Sequence, residues 1–479
     1  MNFEMPDFGL ALPEIWLLCA ACVILVVDLF SASRTRAATF YLTQLSLAVA
    51  AWLAWNSQWL AEPGMSFSGH YMADRLGVML KLGIYGLSAL AFAYARNYLL
   101  VRNLLKGEFF LLGLFGVLGM SIMASAHSLL TLYMGLELLA LCQYALVVID
   151  RESRGASEAA MKYFVLGALA SGMLLYGMSM IYGVSGSLYL ADVAAAAGGA
   201  DESMLFAFGL VFLVVGVAFK FGAVPFHMWV PDVYQGAPTP VTLYLGTAPK
   251  VAAVALFLRL IGDGLGPLME QWQTMLIILA VLSLAVGNLF ALVQDNLKRM
   301  LAYSTVSHVG FVLLGLIAGT EEGYAAALFY ALTYGITAAG AFGMIVLLSR
   351  RGFEAELMSD FKGLARRNGY LGIVLLLLMF SMTGVPGTVG FYAKLLVVKS
   401  VVDVNMIWLA VFAVIFAVVG AFYYLRLLKM AFFDEPEDEQ AIEASAGQQI
   451  VMAGNGFAVL ALGIFPGGLM ALCLAALGL

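Results

Sequence analysis

The sequence predicts an all-α integral membrane protein with about fourteen transmembrane helices. Of its 479 residues, 63% are hydrophobic and only 11% are charged, and the mean hydropathy is +0.96. Soluble domains are about 45–50% apolar and about 25% charged, so this composition is typical of a membrane protein. The apolar residues form repeated runs of roughly 18 residues or more, each long enough to cross ~30 Å of hydrocarbon as a helix.

The predicted spans follow one another with short links, none of which is long enough to form a soluble domain. The first run is interpreted as a retained span, because the preceding residues lack the basic start of a cleavable signal. In chain order the spans cover residues 9–31, 36–57, 73–95, 108–125, 128–149, 157–184, 204–235, 240–262, 272–294, 300–319, 323–349, 370–402, 405–430 and 449–475.

The cations predict the orientation of these spans. With both termini placed outside, the loops between odd and even spans become cytoplasmic and hold 16 of the 24 Lys and Arg residues. The opposite face holds only Arg75, Arg259 and Lys399, so the split follows the positive-inside rule. The 16 are Arg34, Arg36, Arg96, Arg102, Lys106, Arg151, Arg154, Lys298, Arg299, Arg350, Arg351, Lys362, Arg366, Arg367, Arg426 and Lys429.

Two spans carry helix-breaking residues near their middle. Span seven contains Pro225 and Pro231, and span twelve contains Gly384, Pro386 and Gly387. Proline removes a backbone donor and clashes with the preceding turn, so both spans are predicted to be discontinuous. Unpaired backbone at membrane depth is stable only inside protein or along a wet cavity, which is a feature of transporters built from repeated units.

A weak internal repeat accompanies the two breaks. AAMKYFVLGALASG in the sixth span resembles AALFYALTYGITAAG in the eleventh, so spans four to eight and nine to thirteen are predicted to form two related units. Five spans is an odd number, which makes the repeat inverted. The predicted organisation is a three-helix segment (1–107), two five-helix repeats (108–262 and 272–430), and an acidic cytoplasmic loop with a last helix (431–479).

Four ionisable residues are predicted to lie deep in the membrane: Glu137, Lys220, Lys250 and Lys394. A charged group at the bilayer centre costs on the order of 2.5–3.5 kcal/mol on insertion scales, so each indicates a function. A lysine buried in a low dielectric can release its proton near neutral pH, whereas an arginine cannot. The residues are therefore candidates for a proton relay, and a structural ion pair is the alternative for Glu137.

Two histidines and a further lysine extend this candidate relay. His227 lies in the broken segment beside Lys220, and His308 lies among hydroxyl residues in YSTVSHVGF. Histidine titrates near neutral pH and can pass a proton between two lysines, although a membrane histidine is often only a hydrogen-bonded packing residue. Lys162, nearer the cytoplasmic end of span six, is a candidate for relay or tuning.

Other charged residues are interpreted without a proton-carrying role. Glu14, Asp28, Asp74 and Lys81 lie nearer span ends or on peripheral helices, where interface contacts explain them. The acidic stretch at 433–447 is predicted to be a solvated face or a docking surface for a partner. The sequence has no nucleotide-binding loop, iron–sulfur cysteine set or haem histidine pair, so no redox cofactor is expected in this chain.

The motifs VPFHMWVPDVYQGAPTPVTLYLGTAPK and DNLKRMLAYSTVSHVGF resemble the core of the antiporter-like membrane subunits of respiratory complex I. Together with Lys394 in span twelve, they resemble the subunit N group of bacterial NADH:quinone oxidoreductase. The resemblance extends over essentially the whole chain. The full length favours a bacterial member in the inner membrane, and the motifs alone fit a chloroplast-type homologue as well.

This resemblance implies a role for each matching residue. Glu137 resembles the family's glutamate that pairs with a lysine, here Lys220. Lys250 resembles the central lysine of the relay, and Lys394 resembles the terminal one. His227 and His308 match positions on the same polar axis. The resemblance further implies a proton pump in the complex's membrane arm, next to other membrane-arm subunits. NADH, FMN, iron–sulfur clusters and quinone are expected in other subunits of the complex.

Two rival interpretations remain. A subunit of a multisubunit cation/proton antiporter would share the fold and the Glu/Lys pattern, and co-purifying flavin and iron–sulfur signals would distinguish it from a complex I subunit. A non-transporting scaffold is the second rival. It predicts that joint replacement of Lys220, Lys250 and Lys394 by methionine leaves pumping intact, and it does not explain why these lysines lie inside the membrane.

Overall fold

The computed structural model describes residues 5–31, 35–60, 62–199, 204–437, 442 and 444–479. Within these ranges the chain is almost entirely helical, which confirms the predicted all-α membrane fold, and 13 helices are long and apolar enough to cross a membrane. The one remaining predicted span, the twelfth (370–402), corresponds to a pair of shorter helices over residues 369–403. Arg34 and part of the acidic stretch, residues 438–441 and 443, lie outside the described residues.

The helices follow the predicted spans closely in position. In chain order they are α1 (Leu12–Phe30), α2 (Ala37–Ala54), α3 (Arg75–Val101), α4 (Gly107–Ala124), α5 (Leu129–Val147), α6 (Arg154–Ser185), α7 (Leu190–Ala197), α8 (Met204–Phe221), α9 (Trp229–Gly236), α10 (Thr239–Leu245), α11 (Ala248–Phe257), α12 (Met269–Leu292), α13 (Leu297–Ile317), α14 (Glu321–Leu348), α15 (Leu364–Arg367), α16 (Gly369–Thr383), α17 (Val389–Asp403), α18 (Ile407–Phe433), α19 (Ala446–Ile464) and α20 (Gly467–Ala476).

Helical structure stops inside both spans that contain the breaking residues. α8 ends at Phe221 and α9 begins at Trp229, while α16 ends at Thr383 and α17 begins at Val389. Each stop is followed at once by a glycine with a positive φ, Gly222 at 78° and Gly384 at 91°. A left-handed residue of this kind ends a helix at little steric cost only when it is glycine.

A third interruption was not predicted. The predicted span that contains Lys250 (240–262) divides into α10 and α11 at Gly246 and Thr247. Pro249 is the signal, because it stands in the first turn of α11, where proline is tolerated, and cannot donate to the preceding turn. A two-stranded antiparallel hairpin, β1 (Gly64–Ser66) and β2 (Tyr71–Ala73), also stands between α2 and α3.

The middle of the molecule is formed by α10, α11, α13 and α14. Within the most apolar stretch of each span, 94% of the residues are buried in α13 and in the α10–α11 span, against 33% in α1. The outer faces of the peripheral helices are apolar and exposed, as lipid contact requires. The charged residues carried by the central helices therefore lie in protein rather than against lipid.

Glu14 and Lys81 in the N-terminal segment were expected to make interface contacts, but they form a buried ion pair. Lys81 is fully buried, and its Nζ lies 2.7 Å from the Glu14 carboxylate, 2.9 Å from the Tyr71 hydroxyl and 3.1 Å from Gln58 Oε1. Tyr71 also donates to Glu14 over 2.8 Å. Because a buried charge is stable only when it is paired and hydrogen-bonded, these residues tie α1 and the hairpin to α3.

Candidate proton path

The first broken helix is joined to the buried lysine Lys250. The Lys250 Nζ donates to the carbonyl oxygen of Phe221, the last residue of α8, over 2.8 Å. It also lies 5.4 Å from the centre of the Trp229 ring, at the start of α9. The last carbonyls of a helix have no partner within the helix, so the lysine satisfies a polar group that the break leaves free. Lys250 therefore depends on the discontinuity for its position.

Lys220 stands one residue before that break and shares a cavity with Lys250. Its Nζ is 3.4 Å from the Ser171 hydroxyl of α6. The cavity has a volume of about 30 Å³ and is also lined by Gln143 and Tyr163. Gln143 accepts a hydrogen bond from Tyr163, whereas its buried Nε2 has no partner. A water needs roughly 10–15 Å³ and two to four polar partners, so the space suits about two waters between the lysines.

Glu137 does not form the direct ion pair with Lys220 that the resemblance implied. Both residues are described, and their charged atoms are not within 4.0 Å of each other, although the carboxylate acts electrostatically on the ammonium group. The carboxylate is half-buried on α5, and its Oε1 has no hydrogen-bond partner. The two charges are thus coupled across a gap rather than in contact.

The second broken helix repeats the arrangement around Lys394. Its Nζ donates to the carbonyl oxygens of Met382 and Thr383, the last two residues of α16, over 2.9 Å each. It lies 5.0 Å from the centre of the Phe311 ring. An ammonium group, two freed carbonyl oxygens and an aromatic face thus meet at the second break. At the first break the ammonium group of Lys250 meets one freed carbonyl oxygen and the Trp229 ring in the same way.

His308 connects α13 to the tyrosines of two neighbouring helices. Its Nδ1 is 2.7 Å from the Tyr330 hydroxyl of α14, and its Nε2 is 3.1 Å from the Tyr424 hydroxyl of α18. The ring is buried and interacts electrostatically with Lys394. A cavity of about 10 Å³, room for about one water, lies between His308 and α17.

Hydroxyl groups extend from His308 towards the first unit. The Tyr334 ring lies 4.8 Å from the His308 ring, and the Tyr334 hydroxyl donates to the Thr305 hydroxyl over 2.8 Å. The Tyr234 hydroxyl of α9, the helix that follows the first break, donates instead to the Leu245 carbonyl oxygen over 3.4 Å. Helix α13, which carries Thr305, packs against α9, so these hydroxyl groups adjoin the first break without a hydrogen bond to Tyr234.

Two residues expected in the relay lie away from it. His227 is half-exposed, its buried Nδ1 has no partner, and it lines neither of the two cavities. The Lys162 side chain is 43% exposed and pairs with Glu158 at 2.9 Å and Asp232 at 2.8 Å. Asp232 also binds Arg299 at 2.8 Å, so Lys162 belongs to a surface ion-pair group.

Sequence reasoning missed most of the neutral partners. Gln143, Tyr163, Tyr330, Tyr334 and Tyr424 hold the polar path together but give no distinctive sequence signal. The one hint is that tyrosines lie in the middle of apolar spans, where a buried hydroxyl needs a partner. Of the hydroxyl residues beside His308 in YSTVSHVGF, Ser304 contacts the Tyr424 hydroxyl at 2.5 Å, whereas Ser307 accepts a hydrogen bond from Asn288 at 2.8 Å.

A helical membrane protein whose spans are interrupted, with a lysine on the freed carbonyls at each interruption, has the architecture of a transporter-type membrane subunit. The family described as "NADH:quinone oxidoreductase/Mrp antiporter, TM" matches residues 126–420, which contain both breaks. The structure is similar to a chain of respiratory complex I from Thermus thermophilus, solved with bound aureothin. That similarity has a TM-score of 0.82 at 32% identity and covers 96% of this chain and 98% of that chain.

The relatives narrow the assignment. The chain is 64% identical to NADH-quinone oxidoreductase subunit N of Alkalilimnicola ehrlichii over all of this chain and 98% of the relative. It is 61% identical to subunit N of Halorhodospira halophila over the full length of both. The chain belongs to the NADH-quinone oxidoreductase subunit N family, within the NADH:quinone oxidoreductase/Mrp antiporter group.

Proposed function

We propose that this chain translocates protons as a membrane-arm subunit of NADH:quinone oxidoreductase. The observation that carries the proposal is the repeated placement of a lysine, buried at Lys250 and half-buried at Lys394, on the freed carbonyls of a broken helix beside a cavity of water size. An ammonium group held in this way can give up and regain a proton without large movement. Water in the breaks supplies the exchange partner.

The proposed proton path has two segments joined by hydroxyl groups. A proton passes from Lys220 to Lys250 through water in the shared cavity. It continues past the hydrogen-bonded Thr305 and Tyr334 hydroxyls to His308, and reaches Lys394 through the second cavity, which Met382 and Ala393 line beside that lysine. Each transfer needs hydrogen-bond reach between donor and acceptor, directly or through one water.

Glu137 is proposed to control the first segment electrostatically. When a change elsewhere in the complex brings its carboxylate towards Lys220, the ammonium form is stabilised, and when it moves away the proton is released towards Lys250. Oε1 of the Glu137 carboxylate has no hydrogen-bond partner, so no bond to this oxygen has to break for such a movement. Moving one charge across the membrane requires ~2.3 kcal/mol per 100 mV, so redox energy from other subunits must drive the relay.

The surroundings of the chain follow from this assignment. NADH, FMN, iron–sulfur clusters and quinone are placed in other subunits, and the neighbours of this chain are other membrane-arm subunits. The proposed location is the bacterial inner membrane, with both termini on the periplasmic side. The two five-helix units are proposed to be inverted repeats, as the similar breaks at Phe221 and Thr383 suggest.

Purification of the native complex through a tag on this chain tests the partner assignment. Flavin and iron–sulfur signals are expected to co-purify with the tag. A preparation that lacks both and exchanges Na⁺ or another cation for protons would instead identify a subunit of a multisubunit antiporter.

The role of Glu137 has its own test in sealed membrane vesicles. Glu137→Ala is expected to lower NADH-driven proton transport by about tenfold, since a charge interaction of roughly 1.4 kcal/mol corresponds to a factor of ten. Glu152→Ala, at an exposed glutamate, is the matched control. Normal pumping by an assembled Glu137→Ala complex would contradict the proposed control of Lys220.

A further inference from the structure

Two adjoining cavities lie along α3 and α19, and together they are called the groove. Its apolar part has a volume of about 660 Å³ and is closed by α14 and α20. Its polar part has a volume of about 470 Å³ and is closed by α2. Val451 lines both parts, so the two cavities meet at this residue. Ligand pockets in proteins have volumes of about 300–1,000 Å³, so each part alone is of ligand size.

The apolar part of the groove has no charged side chain in its lining. It is lined by leucines and by small residues that leave space, among them Leu82, Leu90, Leu332 and Leu462. Gly86 and Gly454 face each other's helix across this space, and a Cβ at either position would meet no atom within 4 Å. A glycine that packs against nothing in a transmembrane helix leaves room for an occupant.

The polar part carries a single guanidinium group, that of Arg96. This group lies 4.7 Å from the centre of the Phe40 ring and 5.3 Å from that of Tyr41. Arg96 forms no ion pair with any carboxylate in the part of the chain that the structure describes. Asn97 and Gln448 bond each other at 2.9 Å beside it and join α3 to α19. A half-buried arginine that lies against two aromatic rings and pairs with no carboxylate of the described residues can bind an anion.

The dimensions of the groove match one leaflet of a bilayer. Arg96 lies near the end of α3 that the distribution of cations places at the cytoplasmic surface. Along α3 the apolar part extends from Leu90 to Met79, a rise of about 16 Å at ~1.5 Å per residue. Half of a ~30 Å hydrocarbon core is about 15 Å, so the apolar part covers the depth of an acyl chain.

We propose that this groove binds one anionic phospholipid, with its phosphate on Arg96 and an acyl chain along Gly86 and Gly454. The cationic end and the long apolar end require an amphiphile, and the position of Arg96 at the membrane surface sets its direction. The bound lipid joins α2, α3 and α19, three helices whose direct packing leaves this space open. It thereby connects the N-terminal three-helix segment to the last helices of the chain.

Native mass spectrometry of the detergent-purified, delipidated complex tests this proposal, with dioleoyl phosphatidylglycerol as the probe. The wild-type complex is expected to bind one molecule of the added lipid in this groove. Arg96→Gln should weaken binding by about tenfold, because a hydrogen bond to a charged group is lost. The double substitution Gly86→Leu and Gly454→Leu should abolish binding by filling the groove, although Arg96 stays in place.

Matched variants separate this site from other lipid contacts. Arg151→Gln removes an exposed cation from the same predicted surface, and Gly172→Leu fills a helical glycine that also meets no atom within 4 Å. Both should retain the lipid like the wild type. The proposal is overturned if all variants retain the lipid equally, if inorganic phosphate displaces it, or if a cysteine placed at position 86 cross-links to a neighbouring subunit's helix.

Discussion

Both broken helices end in carbonyl oxygens that accept a hydrogen bond from a lysine, but the residues around the two lysines differ. At the first, Lys250 donates to one carbonyl of α8, and a second lysine, Lys220, shares its cavity. At the second, Lys394 donates to two carbonyls of α16, and the neighbouring titratable group is His308. The first break has room for about two waters and the second for about one.

We infer from this difference that the two breaks have different roles on the proposed proton path. At the first break two lysines share a cavity, so a nearby carboxylate can change which of them holds a proton. Among the described residues such a carboxylate, Glu137, acts on the first break, and none is found to act on Lys394 at the second. The second break is held more tightly by direct hydrogen bonds from tyrosines to His308. We infer that the first break responds to charge and that the second conducts.

Loss of Lys250 is expected to have the largest effect. Lys250→Met should reduce the proton transport that depends on this chain about a hundredfold, because a positioned proton carrier contributes roughly 10²–10⁴. Stability should also fall by about 1–3 kcal/mol, since the Phe221 carbonyl loses its donor. Transport is measured in sealed vesicles, and the thermal midpoint of the purified complex reports stability.

The matched control is Lys399→Met, which removes an exposed lysine of α17 that pairs with Asp403. It should leave transport and stability unchanged. An equal loss of proton transport in the Lys250→Met and Lys399→Met variants would show that the position of Lys250 at the break has no special role in transport.

Replacement of His308 is expected to have the next largest effect. His308→Phe should lower transport about tenfold, because the contacts to Tyr330 and Tyr424 are lost while water can still enter the second cavity. His227→Phe should change transport less than about twofold, because His227 lines neither cavity. A larger defect in His227→Phe than in His308→Phe would reverse our assignment of the two histidines.

A single hydroxyl of the second break should contribute less. Tyr330→Phe is expected to reduce transport about fivefold, the factor that corresponds to a net hydrogen bond of about 1 kcal/mol. Tyr303→Phe is the control on α13, since Tyr303 bonds none of the relay groups. No difference between the two variants would remove Tyr330 from the path.

The smallest effect is expected at the edge of the first break. Ser171→Ala removes the hydroxyl that lies 3.4 Å from Lys220, a long and therefore weak hydrogen bond. Transport should fall by about twofold or less, because cavity water can take over the contact. A defect as large as that of Lys250→Met would show that Ser171 itself carries the proton.

The sequence was sufficient for the helices and for the charged residues of the path, for a physical reason. Long apolar runs and the cost of a buried charge are strong local signals, and they located Lys220, Lys250 and Lys394. The placement of Lys162 and His227 depends instead on helix rotation. Lys162 lies on a face of α6 that meets Asp232, and nothing in the chain order reveals that face.

The neutral partners and the N-terminal ion pair could not be predicted for the same reason. Tyr330 and Tyr424 come from helices that are distant in sequence, and they meet at His308 only after three helices pack. Lys81 was judged by its nearness to a span end, whereas its burial arises from Glu14, Tyr71 and Gln58 on separate elements. Pairing across elements is a property of the packed structure.

The central claim is that the two breaks act in series on one proton path. Protons transported per NADH oxidised are to be compared in vesicles with Lys250→Met, Lys394→Met and the double variant, after equal assembly has been verified. Steps in series are non-additive, so we expect the double variant to lose no more transport than the more severe single variant. A loss in the double variant equal to the sum of the two single losses would show two independent channels and contradict the account.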